Sequence, residues 1–184
     1  RDVQRLHIGY MGCHAAINGL RAARGLVNAH PDACVLVCAV ELCSLHYRFS
    51  WDSERIVGNA LFSDGAAAIV GAHADDRATD NWQVVDTGSF LFPDSRQAIT
   101  WRIGDHGFEM TLANTLPEMI ERHLQPWLEP WLAAHSLAID AIGSWAIHPG
   151  GPRILEAVEN GLGLSQSVTR TSHDVLQDLG NMSS

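Results

Sequence analysis

The sequence contains no lysine; all 12 of its basic residues are arginine. A lysine Schiff base is therefore excluded within these 184 residues. Positive charge is scarce overall: 12 basic residues face 21 acidic ones, a formal net charge of −9, which argues against a general nucleic-acid binder. No run of about 18 uninterrupted apolar residues occurs, so no transmembrane helix is expected. No signal-peptide pattern is visible, and the expected location is cytoplasmic. Cysteine is sparse, at Cys13, Cys34, Cys38 and Cys43, with no Cys-x-x-Cys pair, and the ten histidines are scattered. Neither a zinc site nor a disulfide framework is expected from that pattern. Low-complexity tracts are absent too.

What is present is a globular composition, 46% hydrophobic and 18% charged. Leu6–Tyr10 reads as a short strand ended by Gly12. From His14 to Asn28 apolar residues recur at helical spacing through Ala16, Leu20, Ala23 and Val27. Residues 33–40 form a continuous apolar run, expected to be a central strand covered on both faces, with Cys34 and Cys38 as buried small hydrophobes. Residues 53–61 read as a short helix with Ser53 as N-cap. Residues 65–71 and 82–91 read as strands, separated by a polar connection at 72–81. Thr115–His135 is helical, with Pro126 and Pro130 expected to kink or split it. Ser144–Ile147 reads as a short strand, and Pro152 opens a helix through Val158, closed by Gly161 and Gly163. Strands alternating with helices give an α/β class with largely parallel sheets. The division expected is 1–80 and 81–184, and the abrupt ends at Arg1 and Ser184 read as those of a fragment.

Three residues carry the chemistry. Cys13 stands where a strand gives way to a helix. There the helix dipole lowers a thiol pKa and unpaired N–H groups face a reacting oxygen. A buried structural cysteine is the competing reading. His148 follows the apolar Trp145-Ala146-Ile147 and precedes Pro149-Gly150-Gly151-Pro152, whose glycines let backbone approach a ligand closely. Asn181, in Gly180-Asn181-Met182, is either a turn residue or a neutral amide donor aimed at developing negative charge.

Together they resemble the Cys-His-Asn triad of type III polyketide synthases, the chalcone and stilbene synthase family. The spacing, 135 residues from Cys13 to His148 and 33 from His148 to Asn181, is similar to that family's. The specific pieces are Trp145-Ala146-Ile147-His148-Pro149-Gly150-Gly151-Pro152 and Gly180-Asn181-Met182-Ser183-Ser184. Leu61-Phe62-Ser63-Asp64-Gly65 resembles the loop bearing a gatekeeper phenylalanine. The resemblance implies an α/β, thiolase-like layered αβαβα fold built of two related halves, and a homodimer. Residues 1–80 then form the latter part of the N-terminal half, with the nucleophile. Residues 81–184 form most of the C-terminal half. Family members are about twice this length, so the fold is expected to be incomplete at both ends.

The resemblance also implies a mechanism. Cys13 takes an acyl starter from its CoA thioester. Malonyl-CoA loses carbon dioxide, His148 and Asn181 bind the enolate oxygen, and a Claisen condensation extends the chain before cyclisation. No metal or redox cofactor is implied. Phe62 matches the first gatekeeper and Met110 the second. Cys43 and His46 stand where plant members carry cavity-shaping threonines, and His46 departs strongly from that pattern. Gly150, Gly151 and Ser183 match substrate-binding positions. Arg153 is the nearby cation nominated for CoA phosphate, with a plain surface arginine as the competing reading. Glu41 ends the strand beside the expected cavity. Two alternatives share the fold: a ketoacyl-acyl-carrier-protein synthase III-like condensing enzyme, and a non-catalytic partner subunit.

Overall fold

The computed structural model describes residues 3–47, 49, 51, 53–73, 81–105 and 107–184, without the side chains of 53–55. The expected Ser53 cap and most of the polar connection at 72–81 lie outside the described residues. The chain forms two compact units: residues 1–42, 64–87 and 182–184 make the first, and residues 43–63 and 88–181 the second.

In the first unit a helix, α1 (Ala15–Ala29), packs on a two-stranded sheet of β1 (Cys34–Glu41) and β2 (Gly65–Ala72). Gly19, Ala23 and Val27, spaced by four, form the buried stripe of α1. The strands pair antiparallel, from Cys34 opposite Ala72 to Glu41 opposite Gly65. This corrects two expectations. The sheet is not parallel, a property that an apolar run does not encode. Nor is β1 covered on both faces. Val35, Val37, Ala39 and Glu41 are half-buried, whereas Cys34, Leu36, Cys38 and Val40 alternate with them and are exposed. Leu6–Tyr10, expected as a strand, belongs to no ladder among the described residues, and its last residue, Tyr10, is a bend at φ 61°.

The second unit holds α2 (Ser53–Leu61), a hairpin of β3 (Ile99–Gly104) and β4 (Gly107–Leu112), α3 (Leu116–Ala133), α4 (Pro152–Leu162) and α5 (Gln166–Leu179). Its core lies between α3 and α4, where Leu128, Leu132, Val158 and Leu162 are buried against Ile120, Leu124, Trp127 and Trp131. Each buried side chain of this kind contributes about 1.5–3 kcal/mol. That row explains why α3 runs unbroken through Pro126 and Pro130. Both prolines are exposed, away from the buried row of the helix. Residues 82–91 and 144–147, expected as strands, have no ladder partner among the described residues. Conversely, the β3–β4 hairpin and α5 were not expected. The inward face of α5 is polar, with Thr169 and Ser172 buried, which hides its helical period. No helix among the described residues is long and apolar enough to cross a membrane.

Candidate active site

Cys13 lies in the first unit, in a 3-10 turn (Gly12–His14) that runs directly into α1. Tyr10 and Gly12 take positive φ, 61° and 59°, and turn the chain into that helix start. The thiol is half-buried. Burial pushes its pKa up; a hydrogen bond from the Ser183 side chain and a backbone hydrogen bond pull it down, and the Glu41 charge adds to the rise. The net direction is upward. The net lowering expected from sequence is therefore not found, because desolvation is the largest effect on this thiol. Ser183, expected only as a substrate contact, is tied to the nucleophile candidate itself. Glu41 accepts a 2.5 Å hydrogen bond from the Ser184 hydroxyl.

His148, Gly150, Gly151 and Asn181 belong to the second unit. Ile147 N–H donates to the buried Ser172 hydroxyl at 2.9 Å, which fixes the chain one residue before the imidazole. Gly150 N–H then turns back onto His148 C=O at 2.8 Å. Gly151, at φ 150°, makes the entry to α4, a conformation that an L side chain rarely adopts. Pro152 opens the helix, as its fixed φ suits. Burial lowers the His148 pKa, so the neutral ring is favoured. Its Nε2 atom is buried and has no hydrogen-bond partner among the described residues. An unpaired buried polar atom costs about 1–3 kcal/mol.

Asn181 is 1% exposed. Its N–H donates to Leu61 C=O and its C=O accepts from Ser63 N–H, both at 2.9 Å, forming a parallel bridge opposite Phe62. Its side-chain Nδ2 donates to Gly150 C=O at 3.2 Å. The structure thus brings Phe62, Asn181 and Gly150 together. Phe62 C=O also accepts from the Tyr47 hydroxyl.

The remaining candidates gather elsewhere in this unit. Cys43 and His46 are the two ends of one 3-10 turn that packs on β4. The His46 ring sits edge-on to Trp101 and Phe108, with centroids 5.8 and 6.2 Å apart, and Trp101 and Phe108 meet at 6.0 Å. Met110 is the cross-strand partner of Trp101. Sequence reasoning did not nominate Trp101 or Phe108. The alternation Ile99-Trp101-Ile103 facing Phe108-Met110-Leu112 is the signal that finds them. Arg153 is exposed on the first turn of α4, its guanidinium 3.5 Å from Asn114 C=O.

A groove of about 740 Å³ runs along α2, α4 and α5, lined by Leu61, Pro152, Arg170, His173 and Gln177 among others, and none of the candidates line it. Its charged walls are already engaged, Arg170 with Asp174 and His173 with Glu159. Among the described residues no three His, Cys, Asp or Glu side chains converge as a metal site.

Comparison with known proteins covers both parts of the chain. Residues 1–74 match the family "Chalcone and stilbene synthases, N-terminal domain", and residues 83–184 match the corresponding C-terminal domain. A 1,3,6,8-tetrahydroxynaphthalene synthase of Streptomyces peucetius is 37% identical over all of this chain and 49% of its own length. Type III polyketide synthase 10 of rice (Oryza sativa) is 34% identical over all of this chain and 47% of its own. The crystal structure of PKS-I from the brown alga Ectocarpus siliculosus superposes with a TM-score of 0.94 at 38% identity, covering 100% of this chain and 49% of that one. The chain spans about half the length of these relatives. Its helices and strands are those of the thiolase-like fold that they share. With both domain signatures present in order and the Ectocarpus backbone followed throughout, the chain belongs to the chalcone and stilbene synthase family of type III polyketide synthases.

Proposed function

We propose that this chain carries the reacting groups of a type III polyketide synthase that condenses malonyl-CoA onto a cysteine-bound acyl starter and then cyclises the product. The observation that carries the reading is the buried His148 Nε2 atom without a partner among the described residues. A buried imidazole nitrogen held unpaired by its own fold is supplied with a partner by a substrate oxygen. The neutral ring is the form that donates one hydrogen bond without needing a counter-charge.

The steps follow from the residue types. Cys13 gives up its proton and, as the thiolate, attacks the carbonyl carbon of an acyl-CoA; the bond to the CoA sulfur breaks, and the leaving CoA thiolate takes up that proton. In malonyl-CoA the bond to the carboxylate breaks and carbon dioxide departs. Its electron pair passes into an enolate whose oxygen accepts hydrogen bonds from His148 Nε2 and Asn181 Nδ2. The enolate carbon then attacks the Cys13 thioester, forming the new carbon–carbon bond and releasing the thiolate. Phe62 and Met110 act as gatekeepers, and Gly150 and Gly151 let backbone approach the thioester. Cys43 and His46 line the cavity, where the His46 ring and its two aromatic neighbours occupy space that threonine would leave open. Ser183 tunes the thiol it touches. The division into halves at 1–80 and 81–184, a homodimer, a cytoplasmic location and independence from metal or redox cofactors complete the proposal. These rest on the family resemblance.

Asn181→Ala in the full-length protein tests the assignment. Malonyl-CoA decarboxylation is expected to fall by roughly 10²–10³-fold, as for loss of one oxyanion donor. Starter acylation is expected to be largely retained. Equal losses in both half-reactions would contradict the oxyanion role.

A further inference from the structure

An oxyanion donor is worth most when its amide does not move as charge develops. The turn that carries Asn181 contains Gly180 at φ 76°, the most permissive residue type in a left-handed position. The Asn181 side chain donates to Gly150 C=O at 3.2 Å, at the long end of the normal range. Its aim also depends on what grips the turn.

That grip is residues 61–63, which leave α2 and run alongside residues 179–181. Two of the bonds are backbone to backbone, Asn181 N–H to Leu61 C=O and Ser63 N–H to Asn181 C=O. They need no particular side chain. A third does, because the Ser63 hydroxyl donates to Leu179 C=O. Ser63 thus holds the carbonyl on each side of Gly180, one through its N–H and one through its hydroxyl. The fit is close: a Cβ on Gly180 would stand 3.0 Å from Ser63 Oγ and 3.2 Å from Leu61 C=O. On the other side of the segment, the Tyr47 hydroxyl donates to Phe62 C=O and keeps the 61–63 segment in place.

We propose that Ser63 is a positioning residue for Asn181, its backbone N–H and hydroxyl bracketing Gly180 so that the Asn181 amide stays aimed at the enolate oxygen. This rests on the oxyanion role assigned to Asn181 above. Ser63 touches no reacting atom; it acts through the turn.

The test compares Ser63→Ala, Ser63→Thr and Asn181→Ala in the full-length protein, reading malonyl-CoA decarboxylation and starter acylation of Cys13 separately. In Ser63→Ala the decarboxylation kcat is expected to drop about 10-fold, less than the roughly 10²–10³-fold cost of removing an oxyanion donor outright. KM for malonyl-CoA and acylation should stay unchanged. Ser63→Thr keeps the hydroxyl and restores most of the rate. Should Ser63→Ala not fold, Ser63→Cys replaces it, with a weaker donor and a smaller drop. Wild-type decarboxylation in Ser63→Ala beside an impaired Asn181→Ala overturns the proposal. So does a parallel fall of acylation and decarboxylation, which marks general damage. Unimpaired decarboxylation in Asn181→Ala removes the oxyanion reading and this proposal with it, a result distinct from failure at Ser63 alone.

Discussion

Cys13 sits among groups with opposing effects. Burial and the Glu41 carboxylate favour the thiol, while the Ser183 hydrogen bond favours the thiolate. The sign of each substitution follows. Ser183→Ala removes a stabiliser of the thiolate, so the pKa rises and alkylation of Cys13 by iodoacetamide at neutral pH slows. Glu41→Gln removes a repelling charge, so the pKa falls and alkylation quickens. Alkylation rates against pH for the two variants check this, and shifts of the same sign in both would contradict it. The sequence placed Cys13 at a helix start, where the dipole argument applies, and the structure agrees on the location. It could not show the degree of burial, because that depends on chain remote in sequence. Ser183 is 170 residues from Cys13 (183 − 13), so no local pattern links them. Phe62, Gly150 and Asn181 were legible as motif residues, but the bridge that joins Phe62 to Asn181 was not.

Among the elements, those with clean apolar periods were legible: α1, α2, β1, β2, α3 and the start of α4. Those with mixed faces were not. The polar inner face of α5 is the clearest case, because its buried side chains work by hydrogen bonding. Thr169 and His173 both donate to Glu159 on α4, holding its carboxyl below the usual range against the opposing effect of burial. Ser172 reaches the Ile147 N–H. Ser172→Ala leaves that N–H without its partner, at a cost of about 1–3 kcal/mol. Chemical denaturation measures this loss, and a change below about 0.5 kcal/mol, the range of an ordinary surface substitution, would contradict the assigned role. Strand direction and pairing were likewise not legible. An apolar run of eight residues fits a parallel or an antiparallel strand equally well, and β1 with β2 chose the latter.

At the scale of the whole molecule, the two compact units do not follow chain order: residues 43–63 join the second unit and residues 182–184 the first. The segment order along the sequence therefore could not display them. Family membership was legible, because the His-Pro-Gly-Gly-Pro and Gly-Asn-Met-Ser-Ser motifs carry specific backbone geometry, with positive φ at Gly151, Gly180 and Ser183. The missing lysines cost the proposed chemistry nothing, since its nucleophile is a thiol. The most direct test of that chemistry is the intact mass of the full-length protein after exposure to an acyl-CoA, with the adduct mapped to a peptide. The account predicts one acyl group on the peptide bearing Cys13, labile to hydroxylamine and absent in Cys13→Ala. An acyl adduct that persists in Cys13→Ala, or that maps to another cysteine, would contradict it.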